Sequence, residues 1–110
     1  MPITLDQFNQ VEMRVGRIVQ AEEFPEARKP SYKLTVDFGS LGMKRSSAGL
    51  KLFYQKDELV GRLVVAVVNF PPRQVASFMS EVLVLGAMEE GGRVVLLEPD
   101  AECPLGTRIG

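Results

Sequence analysis

The chain contains no histidine and a single cysteine, Cys103. Without histidine, Ser-His-Asp and Cys-His nucleophilic catalysis are excluded in their usual forms. Zinc sites built on histidine are excluded too, and one cysteine cannot build a thiolate site, so no metal is expected. No glycine-rich phosphate loop is present, because Gly39-Ser40-Leu41-Gly42 lacks both the lysine and the spacing. Only carboxylate or lysine chemistry stays open. These gaps point away from an enzyme and towards a binding protein with no catalytic residues and no cofactor. A lone Cys103 forms no intrachain disulfide, which suits a reducing compartment, and no histidine stands ready to activate its thiol. The longest unbroken apolar run, Leu63 to Val68, falls far short of the roughly 20 residues a membrane helix needs. Met1 to Gln10 shows neither a basic start nor an apolar stretch, so no secretory signal is expected. The string Lys56-Asp57-Glu58-Leu59 is internal and is no retention tag. Cytoplasmic residence without membrane insertion is the expectation.

What is present is ordinary globular composition: 110 residues, 45% hydrophobic and 25% charged. That length suits one domain spanning residues 1–110. The net charge is −1, so bulk charge carries no argument for nucleic acid. Its distribution does. Between Arg28 and Val75, nine cationic residues stand against three acidic ones, whereas the flanking segments are both acidic. Such a pattern yields either a local positive surface or a solvated face of mixed sign.

Periodicity divides the chain as follows. Thr4 and Gln7 have capping-box spacing, and Leu5, Phe8 and Val11 then share one helical face of about two turns. Met13 to Phe24 predicts a long strand, with its phase broken at Gly16 as by a bulge. Pro25 to Pro30 predicts a loop, Ser31 to Phe38 a strand, Gly39 to Gly42 a turn and Met43 to Ser47 a third strand. Ala48 to Val60 reads as helical, in one or two pieces, with Gly61 as its stop. Leu63 to Asn69 predicts a strand buried on both faces. Phe70 to Met79 predicts a loop opened by Pro71-Pro72, followed by a fifth strand, Ser80 to Met88. A turn over Glu89 to Gly92, a short strand from Arg93 to Glu98, and a tail complete the chain.

Five main strands with a helix between the third and fourth are the order of an all-β OB-fold, a Greek-key barrel with short helices. Such a barrel binds through its second and third strands and the loops after strands one and four. Those loops are Pro25–Pro30, with Arg28 and Lys29, and Phe70–Met79, with Phe70, Arg73, Phe78 and Met79. Cations and aromatic rings would meet on one side, the combination that single-stranded nucleic acid requires.

Several separated motifs then become specific. Glu12-Met13-Arg14-Val15-Gly16-Arg17-Ile18, Asp37-Phe38-Gly39, Asn69-Phe70-Pro71-Pro72-Arg73 and Ser80-Glu81-Val82-Leu83-Val84-Leu85-Gly86 appear in order. Together they resemble the tRNA-binding domain family, over about residue 5 to the C-terminus. Pro25 to Leu34 and Ser80 to Gly86 resemble its CsaA-type export-chaperone branch. Typical tRNA binders have Ala-Asp-Lys-Leu where this chain places Arg28-Lys29-Pro30-Ser31-Tyr32 between Ala27 and Lys33. They carry Ser-x-Gly-Met where it has Ser80-Glu81-Val82-Leu83. Both departures favour the chaperone branch. The resemblance implies an OB-fold, a homodimer made by the terminal segments, tRNA binding, and capture of unfolded precursor proteins for export. It gives the Leu5, Phe8 and Val11 stripe a dimer contact to dock against.

The candidate nucleic-acid contacts are therefore Arg28, Lys29, Lys33, Lys44, Arg45, Asn69, Arg73 and Ser80. Each has a plainer alternative: solvated loop charge for Arg28, Lys29 and Arg73, edge protection for Lys44 and Arg45, and local turn closure for Asn69 and Ser80. Phe70, Phe78 and Met79 are the candidate peptide contacts, although adjacent large apolar residues such as Phe78 and Met79 are more often anchored in a core. Glu81 would repel phosphate; it is open to a base amino group or to pairing with Arg73.

Overall fold

The structure is a computed structural model and describes residues 1–110. Helix α1 (Leu5–Asn9) opens it, with Thr4 Oγ1 accepting from the Gln7 amide at 3.1 Å and Gln7 Oε1 accepting from the Thr4 amide at 2.8 Å. The expected capping box is thus formed. Strands β1 (Met13–Glu23), β2 (Tyr32–Asp37) and β3 (Met43–Ala48) follow as an antiparallel meander. A short helix α2 (Lys56–Leu59) leads to β4 (Leu63–Val67). Next come the hairpin β5 (Arg73–Val75) and β6 (Phe78–Ser80), then β7 (Leu83–Val84), then a second hairpin of β8 (Gly86–Met88) and β9 (Val94–Leu96).

The main sheet runs β3-β2-β1-β4-β7 and curls into a nearly closed barrel. Its remaining seam lies between β3 and residues 80–82. The Glu81 and Val82 amides both donate to the Arg45 carbonyl, at 2.7 and 3.3 Å. Side chains complete the seam: the Arg45 amide donates to Glu81 Oε1 at 2.9 Å and the Ser47 amide to Ser80 Oγ at 3.0 Å. The fold is the expected OB-type barrel. Alternating residues Tyr32, Leu34 and Val36 of β2 face inward, and all five residues of β4 are buried. Tyr32, Leu34 and Val36 form one core with Val64 and Ala66 of β4 and with Ile18, Phe38, Leu50, Leu59 and Leu96. The chain's end runs along the first half of β1, where Val15 and Met13 exchange backbone bonds with Gly106, Thr107 and Ile109.

Four expectations are corrected. Gly16 makes no bulge: it pairs in register with Val64, and the irregularity lies between Ile18 and Gln20. Gly16 is there for space, because a Cβ would come within 2.5 Å of Val36 Cγ1 and 2.7 Å of the Phe38 ring. Of Ala48–Val60, only Lys56–Leu59 is helical. Leu50 and Leu59 are buried while Leu52 and Phe53 are exposed, so the segment is anchored at two points by a turn and a separate helix. The Gln55 amide starts that helix by donating to Glu58 Oε1 at 2.7 Å. Phe70–Met79 is no open loop but carries the β5–β6 hairpin. Finally, Ser80–Met88 is broken at Val82 and again at Leu85, where the chain passes from β4 to its pairing with β9.

Candidate functional site

Phe24 ends β1's connection and Phe78 begins β6, and their rings meet edge-on with centroids 5.4 Å apart. The segment entering Pro25–Pro30 and the β5–β6 hairpin therefore share one rim of the barrel. Lys33 Nζ lies 5.0 Å from the Phe24 centroid and 5.7 Å from that of Phe78. The Arg45 guanidinium stands 4.7 Å from the Phe78 centroid. These are cation–π contacts, which hold both cations over the aromatic pair. The register makes this possible, since Lys33 faces Ser47 and Thr35 faces Arg45 on the outer side of β2 and β3.

Not every candidate joins this rim as an available group. Phe78 is only 6% exposed, so it anchors the hairpin instead of presenting a ring to a ligand. Met79, next along β6, faces out at 48%, and Phe70 is exposed at 52%. Lys44 alternates with Arg45 and shares the side of Ser46 and Val36, so the two cations do not act on one face. Arg45 itself is bound to Glu22 through Nη2 at 2.8 Å. Asn69 is engaged elsewhere: its Oδ1 accepts from the Glu12 amide at 3.0 Å and its Nδ2 donates to the Gln10 carbonyl at 2.7 Å, tying α1 to the end of β4. Ser80 is buried and its hydroxyl accepts from Ser47 in the barrel seam. Arg28, Lys29 and Arg73 are exposed and form no ion pair. The loop before β2 is shaped by Ser31 Oγ, which donates to the Lys29 carbonyl at 2.9 Å. Helix α1 stops at Asn9, so of the expected stripe only Leu5, 73% exposed, and half-buried Phe8 are helical, while Val11, 39% exposed, follows the cap at Gln10.

Two concavities adjoin at the hairpin's base. The larger, about 520 Å³, is walled by Phe70, Pro71, Pro72, Val82 and Leu83, with Ser47, Arg73, Ser80 and Glu81 as its polar lining. The smaller, about 360 Å³, is lined by Arg45, Ser77, Phe78 and Met79 and shares Pro72 and Glu81 with the first. Together they make a trough open to solvent. Its apolar walls can cover the side chains of an extended polymer, and its few polar groups can orient one. Pro71, Pro72, Val82 and Leu83 lie in stretches expected at the binding surface, whereas Phe24 and Ser47 were not expected to contribute. An aromatic residue directly before Pro25 was the one signal for Phe24. Glu81 does not pair with Arg73; one of its oxygens accepts from the Arg45 amide instead. Nowhere do three His, Cys, Asp or Glu side chains gather as a metal site would require.

Residues 13–108 match the family model described as "Putative tRNA binding domain". The crystal structure of chaperone CsaA from Bacillus anthracis str. Ames is similar at TM-score 0.95 and 50% identity, with 100% of both chains covered. That of the CsaA chaperone protein from Picrophilus torridus is similar at TM-score 0.91 and 49% identity, covering 99% of this chain and 100% of the other. Methionine–tRNA ligase 1 of Sorangium cellulosum (strain So ce56) is 42% identical over 106 residues, which are 96% of this chain. The chain spans only 15% of that ligase. With the motifs, the barrel and the matched residues in agreement, the chain belongs to the tRNA-binding domain family.

Proposed function

We propose that residues 1–110 act as one non-enzymatic, chaperone-type binding domain. It holds unfolded precursor polypeptides, on the way to export, in the trough between the β5–β6 hairpin and the barrel seam. The observation that carries this reading is the trough's lining: Phe70, Pro71, Pro72, Val82 and Leu83 surround a carboxylate, that of Glu81. Apolar walls suit the exposed side chains of an unfolded chain. A carboxylate among them suits a polypeptide far better than a polyanion. Prolines at 71 and 72 stiffen the wall, so less freedom is lost when a ligand settles. Two CsaA chaperones of about the same length and half-identical sequence lend support. The cytoplasm is the compartment in which such a protein meets precursors before export.

A second reading, tRNA binding, is favoured by a separate observation. Arg28, Lys29, Lys33 and Arg73 lie on or beside the rim with no ion-pair partner. Phosphate contacts from these cations would add to any contact the trough makes. The two ligands separate by salt. Retention of an unfolded precursor should change little up to about 0.5 M salt, because apolar burial is not screened. For tRNA, about 4 phosphate contacts would give a slope near −3 in log affinity against log salt. Loss of precursor binding along the tRNA slope would remove the chaperone reading; absent tRNA retention at low salt would remove the second.

A homodimer is proposed on Leu5 and Phe8 of α1 with Val11 just beyond the helix, whose natural cover is the same surface of a second copy. Light scattering should give twice the mass of the 12.2 kDa chain. A monomer's mass at micromolar concentration would remove the dimer.

A further inference from the structure

Glu81 is the one carboxylate in the trough, and it lines both concavities. It is held at two points. Its amide donates to the Arg45 carbonyl at 2.7 Å, and its Oε1 accepts from the Arg45 amide at 2.9 Å. The second oxygen, Oε2, has no hydrogen bond or ion pair within the protein. Neither nearby cation answers the charge: the Arg45 guanidinium is bound to Glu22, and Arg73 forms no ion pair. The result is a fixed carboxylate without an ion-pair partner, set between apolar walls. A lowered local dielectric strengthens its pull on a cation relative to open surface. Because the carboxylate is already pinned, little side-chain freedom remains to be lost on pairing.

We infer that Glu81 selects, within unfolded polypeptide, segments in which a lysine or arginine side chain is embedded among apolar residues. This deepens the polypeptide reading given above and rests on it. The ammonium or guanidinium pairs with Oε2, while the aliphatic stem of the same side chain and its apolar neighbours lie on Phe70, Pro72 and Leu83. A lysine stem is itself apolar, so one residue satisfies wall and charge together. The same carboxylate repels phosphate and reserves the trough for polypeptide, leaving any RNA to Arg28, Lys29 and Lys33 outside it.

The test uses the full chain and three dye-labelled unstructured peptides that share one apolar stretch and carry lysine, norleucine or glutamate at its centre. Fluorescence anisotropy at low salt should rank lysine over norleucine by about fivefold, with glutamate weakest. Glu81→Gln keeps the oxygen that Arg45 bonds, so a urea midpoint close to wild type is expected. In this variant the preference for lysine over norleucine should vanish. A lysine preference that persists in Glu81→Gln, or none in the wild-type chain, overturns the inference and leaves the trough reading standing. Binding of none of the three peptides overturns both. A gain in affinity for labelled single-stranded RNA in Glu81→Gln, without change for the peptides, assigns the trough to nucleic acid and also overturns it.

Discussion

Phe70 and Phe78 stand eight positions apart and have opposite roles. Phe78 is packed under Lys33 and Arg45 and against Phe24, so its ring contributes to stability. Phe70 is half exposed on the trough wall. Phe78→Ala should cost about 3 kcal/mol, the lower range for deleting a buried aromatic ring. Phe70→Ala should stay within about 0.5 kcal/mol of wild type yet weaken polypeptide binding. Urea midpoints beside binding isotherms check the pair; equal stability losses would contradict the assignment. The sequence could not separate these two rings. A strand of three residues has no alternation long enough to read, and Phe78 and Met79 are simply two large apolar neighbours until the register with β5 is known. Asn69 and Ser80 were similarly ambiguous: both bond residues more than 30 positions away, which no local pattern discloses.

Among the elements, the long periodic ones were legible. β2 alternates cleanly because one side faces the core, and β4 is a β-branched run because both sides do. The segment between β3 and β4 was not, since its apolar spacing suits a helix while two burial points and a new cap divide it. Backbone bonds from the Gly61 amide to the Ile18 carbonyl and from the Ile18 amide to the Arg62 carbonyl fasten this segment to β1, and a surface cluster adds to them. Glu23 accepts from Lys51 at 2.7 Å and lies 3.3 Å from Lys56. The hydrogen bond from Lys51, more than any other contact, holds the Glu23 carboxyl below its usual 4.5, with Lys56 adding to it. Lys51 is raised in return by the same bond. A carboxyl lowered in the folded state contributes stability that is present above its unfolded value and is lost as pH falls through the folded one. Glu23→Gln should therefore lower the urea midpoint slightly at neutral pH. The gap to wild type should close in acid below 4.5 and shrink in high salt. Equal midpoints at neutral pH would show that the cluster contributes nothing.

For the whole molecule, strand order and barrel type were readable because five strands with one helical interruption admit few arrangements. The closure was not. Glu81 and Ser80 complete the seam through side chains, and this places a carboxylate in the trough where charge counting along the chain found only an oddity. The proposed seat of a flexible polypeptide is the space between the β5–β6 hairpin and the seam, over apolar walls. Amide chemical-shift mapping by NMR tests it most directly, by titrating the isotopically labelled chain with an unfolded, export-competent precursor segment. Shifts should concentrate at Arg45–Ser47 and Phe70–Leu83, with Gly86–Leu96 unmoved. Shifts confined to the β8–β9 hairpin, or to α2, would contradict it.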